Sequence, residues 1–169
     1  MTKGIVSGVV SNMVTLRVDG PVLQGEICYI TTGGDRLMAE VIKVVGSDVY
    51  VQVFESTRGL KVGSQAEFTG HQLEIQLGPG MLSKNYDGLQ NDLDKMDGVF
   101  LRRGQYTAPL DEDRLWDFEP IVKAGDRVQG SDWLGKVEEN HQPLKIMAPF
   151  QMEGTAVVKS IVPAGQYKV

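Results

Sequence analysis

GSDWLGKV, residues 130–137, is the stretch on which the fold turns. A glycine, four residues, then glycine and lysine is the spacing of a phosphate-binding loop. Such a loop wraps phosphates in successive backbone N–H groups, reaches them with the lysine, and holds Mg²⁺ with a following Ser or Thr hydroxyl. It must also open a helix whose N-terminus faces the phosphate. Here Val137 stands where the hydroxyl is needed, and the next residues, EENHQPL, contain a proline turn that cannot extend a helix far. Asp132 would set a carboxylate beside the phosphates, and Trp133 is a poor fit for a tight wrap. The stretch therefore reads as strand–turn–strand, and Lys136 as a lysine without a nucleotide.

The surroundings agree with a β reading. Gly125-Asp126, Gly130-Ser131-Asp132, Gly154 and Ala164-Gly165 punctuate strands of a few residues each, and Asn140-His141-Gln142-Pro143 reads as a turn between two of them. Upstream, strands are expected near 4–10, 13–18, 24–31, 36–45 and 48–55. In DVYVQVFE (48–55), Val49, Val51 and Val53 share one face while Tyr50, Gln52 and Phe54 share the other. Five or six short strands in about 70 residues predict a small closed barrel, which removes exposed sheet edges. Between the two β regions the period changes. Leu82, Tyr86, Leu89, Leu93 and Met96 are spaced as the stripe of an amphipathic helix over about 83–96, with Ser83 as its cap. Gly88 inside it costs roughly 1 kcal/mol of helix propensity. The expected organisation is a barrel at 1–72, a linker with that helix at 73–99, and a second β domain at 100–169.

Composition narrows function. The 169 residues are 41% hydrophobic, enough for an ordinary core, and 22 acidic residues against 17 basic ones give a net charge of −5. The longest basic cluster is the pair Arg102-Arg103, so nucleic acid and anionic membrane surfaces are poor partners. Cys28 is the single cysteine, which excludes an intrachain disulfide and a cysteine-based zinc site. The start, MTKGIVSGVV, lacks the apolar run of a secretory leader, and no stretch approaches the length of a membrane span. His71 and His141 stand 70 positions apart, with no HExxH pattern. No catalytic or metal-binding residue is expected. Arg102 and Arg103 beside Gly104, and Asp111 and Asp113 in the run PLDED, are candidate partner contacts.

Two resemblances carry the rest. The pattern GDxVxGxDxLGxVEE (125–139), then Lys145 beside Met147 and Ala148-Pro149, then IVPAG (161–165), is similar to biotinyl and lipoyl carrier domains. Those are flattened barrels that present a modified lysine on a hairpin tip. That likeness makes a carrier with Lys145 as its modified residue the alternative reading, although the natural turn lies at 140–143. Wider words extend the comparison to the whole chain: VDGPVL (18–23), VQVFESTRGLKVGSQAEFTGHQLEIQLGPGML (51–82), YDGLQNDL (86–93), FLRRG (100–104), PLDEDRLWDFEP (109–120), GDRVQGSDWLGKVEE (125–139), KIMAP (145–149) and IVPAGQY (161–167). Together they resemble the catalytic A (alpha) subunits of V-type rotary ATPases. Asn85-Tyr86 and Asn91-Asp92 depart from the isoleucine–phenylalanine and arginine–proline pairs usual there.

The resemblance implies a mainly β fold: a closed N-terminal barrel, a connecting helix and a barrel-sandwich-hybrid "bulge" domain. It implies that the nucleotide-binding domain, with its own phosphate loop, lies beyond this chain, so ATP and Mg²⁺ belong to the full-length subunit only. It implies packing against B subunits and neighbouring A subunits through the barrel, and peripheral-stalk subunits meeting the bulge. It places the protein in the cytoplasm, on the peripheral part of a membrane-bound complex that moves H⁺ or Na⁺.

Overall fold

The computed structural model describes residues 1–96, 98 and 102–169; expectations that fall on 97 and 99–101, the first two residues of FLRRG among them, lie outside the described residues. The chain divides into two compact units, Met1–Ile75 with Asp97–Tyr106, and Gln76–Met96 with Thr107–Val169.

The first unit is the closed barrel. Its strands are β1 (Lys3–Val10), β2 (Met13–Val18), β3 (Glu26–Thr32), β4 (Asp35–Val45), β5 (Asp48–Val53) and β6 (Gln65–Gln72). They run β1-β2-β5-β4-β3-β6, and β6 closes on β1 through Gly4↔Ala66. The alternation read in 48–55 holds: Val49, Val51 and Val53 are buried, and Tyr50 and Gln52 face outward. Across the β2–β5 pair Val49 opposes Leu16 and Val51 opposes Val14. These side chains fill the barrel with Val6, Cys28, Ile30, Leu37, Val41, Ala66 and Phe68. Register shifts at Val6/Gly8, Glu26/Cys28 and Val41/Lys43 are bulges, which supply the local twist that closure of so few strands demands. Burial, with the Glu26 carboxylate nearby, pushes the Cys28 thiol up to about 12.

The second unit is also β. A sheet in the order β10-β9-β7-β12 combines β7 (Trp116–Pro120), β9 (Trp133–Glu139), β10 (Gln142–Met147) and β12 (Gly165–Tyr167). A short ladder joins β8 (Arg127–Val128) to β11 (Ala156–Val157). Asn140 and His141, with φ of 50° and 63°, make the two-residue turn of the β9–β10 hairpin, whose backbone twist matches that of the strands. Trp116, Val128, Val137, Leu110 and Ala148 are buried in this unit.

The expected helix over 83–96 does not form. The segment holds only one 3-10 turn, Leu93–Lys95. Three side chains explain why. The Asp87 carboxylate takes the backbone N–H groups of Leu89 (2.9 Å) and Asn91 (2.8 Å), offering the backbone a turn in place of a helix. Ser83 (φ 66°) and Gln90 (φ 61°) are left-handed, and Tyr86 and Asp92 bridge in antiparallel fashion instead. Burial inverts the expected stripe: Gln90, Asn91 and Asp92 are buried, whereas Leu82 and Leu93 are exposed. Both polar ends of the Gln90 amide bind the backbone of Gln76 at 2.7 Å, and the Asn91 side-chain oxygen accepts the Thr107 N–H at 3.0 Å. Periodicity was present, but polar side chains pinned the chain first.

Candidate functional site

GSDWLGK forms a turn entering β9. Two of its amides are spent on the protein. The Ser131 N–H donates to Ala148 O (3.2 Å), and the Asp132 N–H donates to Gln129 O (3.1 Å). The Asp132 carboxylate turns back to accept the Gln129 N–H at 2.7 Å. A phosphate would have to displace these partners and then face that carboxylate. The two glycines have packing reasons of their own. A Cβ on Gly130 would stand 3.1 Å from Met152 O, 3.1 Å from Phe150 O and 3.2 Å from Pro149 O. A Cβ on Gly135 would stand 2.1 Å from Cε2 of Phe118 and 2.9 Å from Glu119 O. No helix follows, because β9 continues to Glu139.

Lys136 points from the outer face of β9 and pairs with Glu119 at 2.7 Å. It lies in an open depression of about 580 Å³ that Asp117, Glu119, Glu138, Asn140 and His141 also line. Three carboxylates against one lysine make a surface that repels a polyphosphate. Lys145 sits opposite Lys136 in the middle of β10, with its ammonium 3.1 Å from the centroid of the Trp133 ring. The hairpin tip is Asn140-His141, so Lys145 is not where a swinging arm has to be carried, and the carrier alternative gains no support.

The remaining candidates separate by unit. Arg102 and Arg103 belong to the first, Asp111 and Asp113 to the second. Arg103 is committed to Asp35 (2.7 Å) and is only a quarter exposed, whereas Arg102 is exposed. Asp111 accepts the Asp113 N–H at 3.1 Å in a surface turn, and Asp113 pairs with Lys168 at 2.7 Å, both side chains in water. Among the described residues, no group of three or more His, Cys, Asp or Glu side chains is placed to hold a metal. No helix among them is long and apolar enough to cross a membrane.

Several consequential side chains carried no motif. Asp92, 1% exposed, is held between the ammonium groups of Lys84 (3.2 Å) and Lys95 (3.7 Å). Buried Glu139 accepts the Leu82 N–H at 2.8 Å. Tyr106 donates its hydroxyl proton to Glu55, and burial first, then that hydrogen bond, raises the phenol above its ordinary range. The Asp92 pairs are local, whereas Glu139–Leu82 and Tyr106–Glu55 join residues 57 and 51 positions apart that only the fold brings together.

Residues 6–70 match the family model described as the ATP synthase alpha/beta family, beta-barrel domain. Residues 107–169 match the one described as the ATP synthase alpha/beta subunit barrel-sandwich domain. Among curated proteins, the chain is 44% identical over 171 aligned residues to the V-type ATP synthase alpha chain of Borreliella afzelii (strain PKo), covering 99% of this chain and 30% of the relative. It is 44% identical to the V-type ATP synthase alpha chain of Treponema denticola, covering 99% of this chain and 29% of that one. The chain thus spans less than a third of the length of the curated relatives it matches.

Proposed function

Because the chain belongs to the ATP synthase alpha/beta family, we propose that it works as a structural, non-catalytic portion of a V-type ATP synthase alpha chain. One observation carries this reading: the similarity runs over 99% of the chain yet reaches only 30% of the relative. The GSDWLGK turn supports it, since the Ser131 and Asp132 amides are bonded to the protein and the Asp132 carboxylate stands beside them, which disfavours a phosphate. ATP and Mg²⁺ are then held by parts of the full subunit outside this chain, which by itself neither binds nor hydrolyses ATP.

In this reading the barrel, residues 1–72, packs against B subunits and neighbouring alpha chains in a hexameric head. The bulge domain, residues 100–169, meets the peripheral stalk. The chain then belongs to the peripheral, cytoplasmic part of a membrane-bound complex. A closed barrel suits the first task, because its backbone hydrogen bonds are satisfied internally and it resists shear while other parts move. Among the candidate contacts, exposed Arg102 and Asp111, with the Asp113–Lys168 pair, are available to partners.

Calorimetry of the chain with Mg-ATP tests the claim. No saturable heat is expected, and Lys136→Ala is expected to behave as the parent. Saturable binding abolished by Lys136→Ala would overturn it. Co-purification with B subunits, lost when residues 1–72 are deleted from the full subunit, is the matching test of assembly.

A further inference from the structure

The short segment Arg102–Tyr106 lies against the barrel through contacts that the proposed assembly role does not use. Its seat is an edge that the strands leave open. β4 begins at Asp35, but β5 pairs with it only from Ala39 to Val45. On that side, among the described residues, Asp35–Leu37 has no neighbouring strand and Met38 meets only the Phe54 N–H on its carbonyl (3.1 Å), and the segment covers this stretch. The Tyr106 hydroxyl accepts the Met38 N–H at 2.9 Å and donates to one Glu55 oxygen. The other Glu55 oxygen accepts the Gly104 N–H at 2.7 Å. Arg103 holds Asp35 through Nη2 (2.7 Å) and Nε (2.9 Å), and its Nη1 donates to the carbonyls of Ser56 (3.4 Å) and Arg58. The Tyr106 ring meets Tyr29 edge-on, centroids 6.3 Å apart. Gly104 has φ of 71°, and a Cβ there would stand 3.3 Å from Asp35 Cβ, so this position admits glycine alone without strain.

The chemistry is specific but shallow. Two carboxylates on the barrel, Asp35 and Glu55, face one guanidinium, one phenol and one amide. No residue of 102–106 belongs to the barrel's apolar core. Segments held by partly exposed polar contacts open at lower free energy than the core they rest on. We propose that residues 102–106 are a releasable latch: they dock as a unit on the open β4 edge and detach while the barrel stays folded. An unlatched edge exposes the Met38 N–H and its neighbours to pairing with another chain, so the latch also guards the barrel against edge-to-edge association.

The latch carries its own reporter, because trypsin cleaves after Arg102 and Arg103. The whole chain is compared with the Glu55→Gln/Tyr106→Phe double variant and with Gly104→Ala, which leaves every barrel residue untouched. Cleavage at these two bonds is followed by mass spectrometry, with cleavage after exposed Lys159 as the reference. In parallel, Cys28, 0% exposed inside the barrel, is titrated with a thiol reagent as a measure of barrel integrity. The expected result is at least tenfold faster cleavage at Arg102 and Arg103 in both variants, an unchanged rate at Lys159, and Cys28 labelling as slow as in the parent. Unchanged cleavage at the arginines would show that these contacts do not hold the segment, overturning the proposal. Faster cleavage accompanied by fast Cys28 labelling would overturn it too, since the segment would then be part of the barrel's cooperative core.

Discussion

Gly135→Ala separates the two meanings of the GSDWLGK glycine. If the residue served a phosphate, an alanine there would disturb nucleotide binding and leave stability alone. The structure says the opposite. The new Cβ would fall 2.1 Å from Phe118 Cε2 and 2.3 Å from Cζ, far inside contact distance. The ring can swing away, but it meets Tyr167 edge-on at 6.2 Å, so its movement disturbs β12 as well. The third neighbour, Glu119 O at 2.9 Å, is backbone of a paired strand and cannot yield cheaply. Overpacking of this kind costs about 1–3 kcal/mol. Against it stands the entropy gained by replacing a strand glycine, about 0.5–1 kcal/mol. The net expectation is a loss of about 1–2 kcal/mol.

The assay is urea unfolding followed by tryptophan fluorescence. Both tryptophans, Trp116 and Trp133, lie in the second unit, so the signal reports that unit without the barrel. Pairing with Phe118→Leu closes a double-mutant cycle. A smaller side chain at 118 makes room for the methyl, so the double variant should be about 1 kcal/mol more stable than the sum of the single effects. A Gly135→Ala protein as stable as the parent would refute the packing argument. So would strictly additive singles, which would mean the ring is not what the methyl meets.

Two further outcomes test the buried polar and titratable groups. Cys28 ionises more easily in the unfolded chain, near 9.0, than in the barrel, near 12. A raised folded value means that its contribution is complete below pH 9 and is lost as pH rises toward 12. By pH 10 the barrel should lose about 1.4 kcal/mol from this thiol alone; Cys28→Ala should flatten that part of the pH 8–10 stability slope in denaturant titrations, and an unchanged slope would count against the assignment. Asp92→Asn keeps the shape of the segment 76–96 but leaves Lys84 and Lys95 without their shared anion. Because both lysines are partly exposed, the expected loss is modest, about 1–2 kcal/mol, read by the same tryptophan signal, and it should shrink in high salt.

How far the sequence could be read depended on what decided each segment. In the barrel, burial decided, and burial leaves a period: Val49, Val51 and Val53 announced their face because nothing polar competed with it. At 83–96 the spacing of Leu82, Tyr86, Leu89, Leu93 and Met96 was just as regular, and it misled. There the outcome was set by the Asp87 carboxylate capturing two amides and by Gln90 finding the Gln76 backbone, interactions with no period at all. The stretch DGLQND did hold a warning, since Asp, Gly and Asn are residues that favour turns over helix interiors. The turn-and-strand character of GSDWLGK was legible for a related reason. The reading asked whether each residue's chemistry suited the motif, and Val137, Asp132 and the following proline did not. What it could not supply was the positive cause of the glycines, because Phe118 and the carbonyls of Pro149, Phe150 and Met152 reach them only through the fold. The same limit hid the Tyr106–Glu55 and Arg103–Asp35 contacts. In a chain of short strands, pattern locates the strands, and the polar side chains between them decide how the intervening segments are fastened.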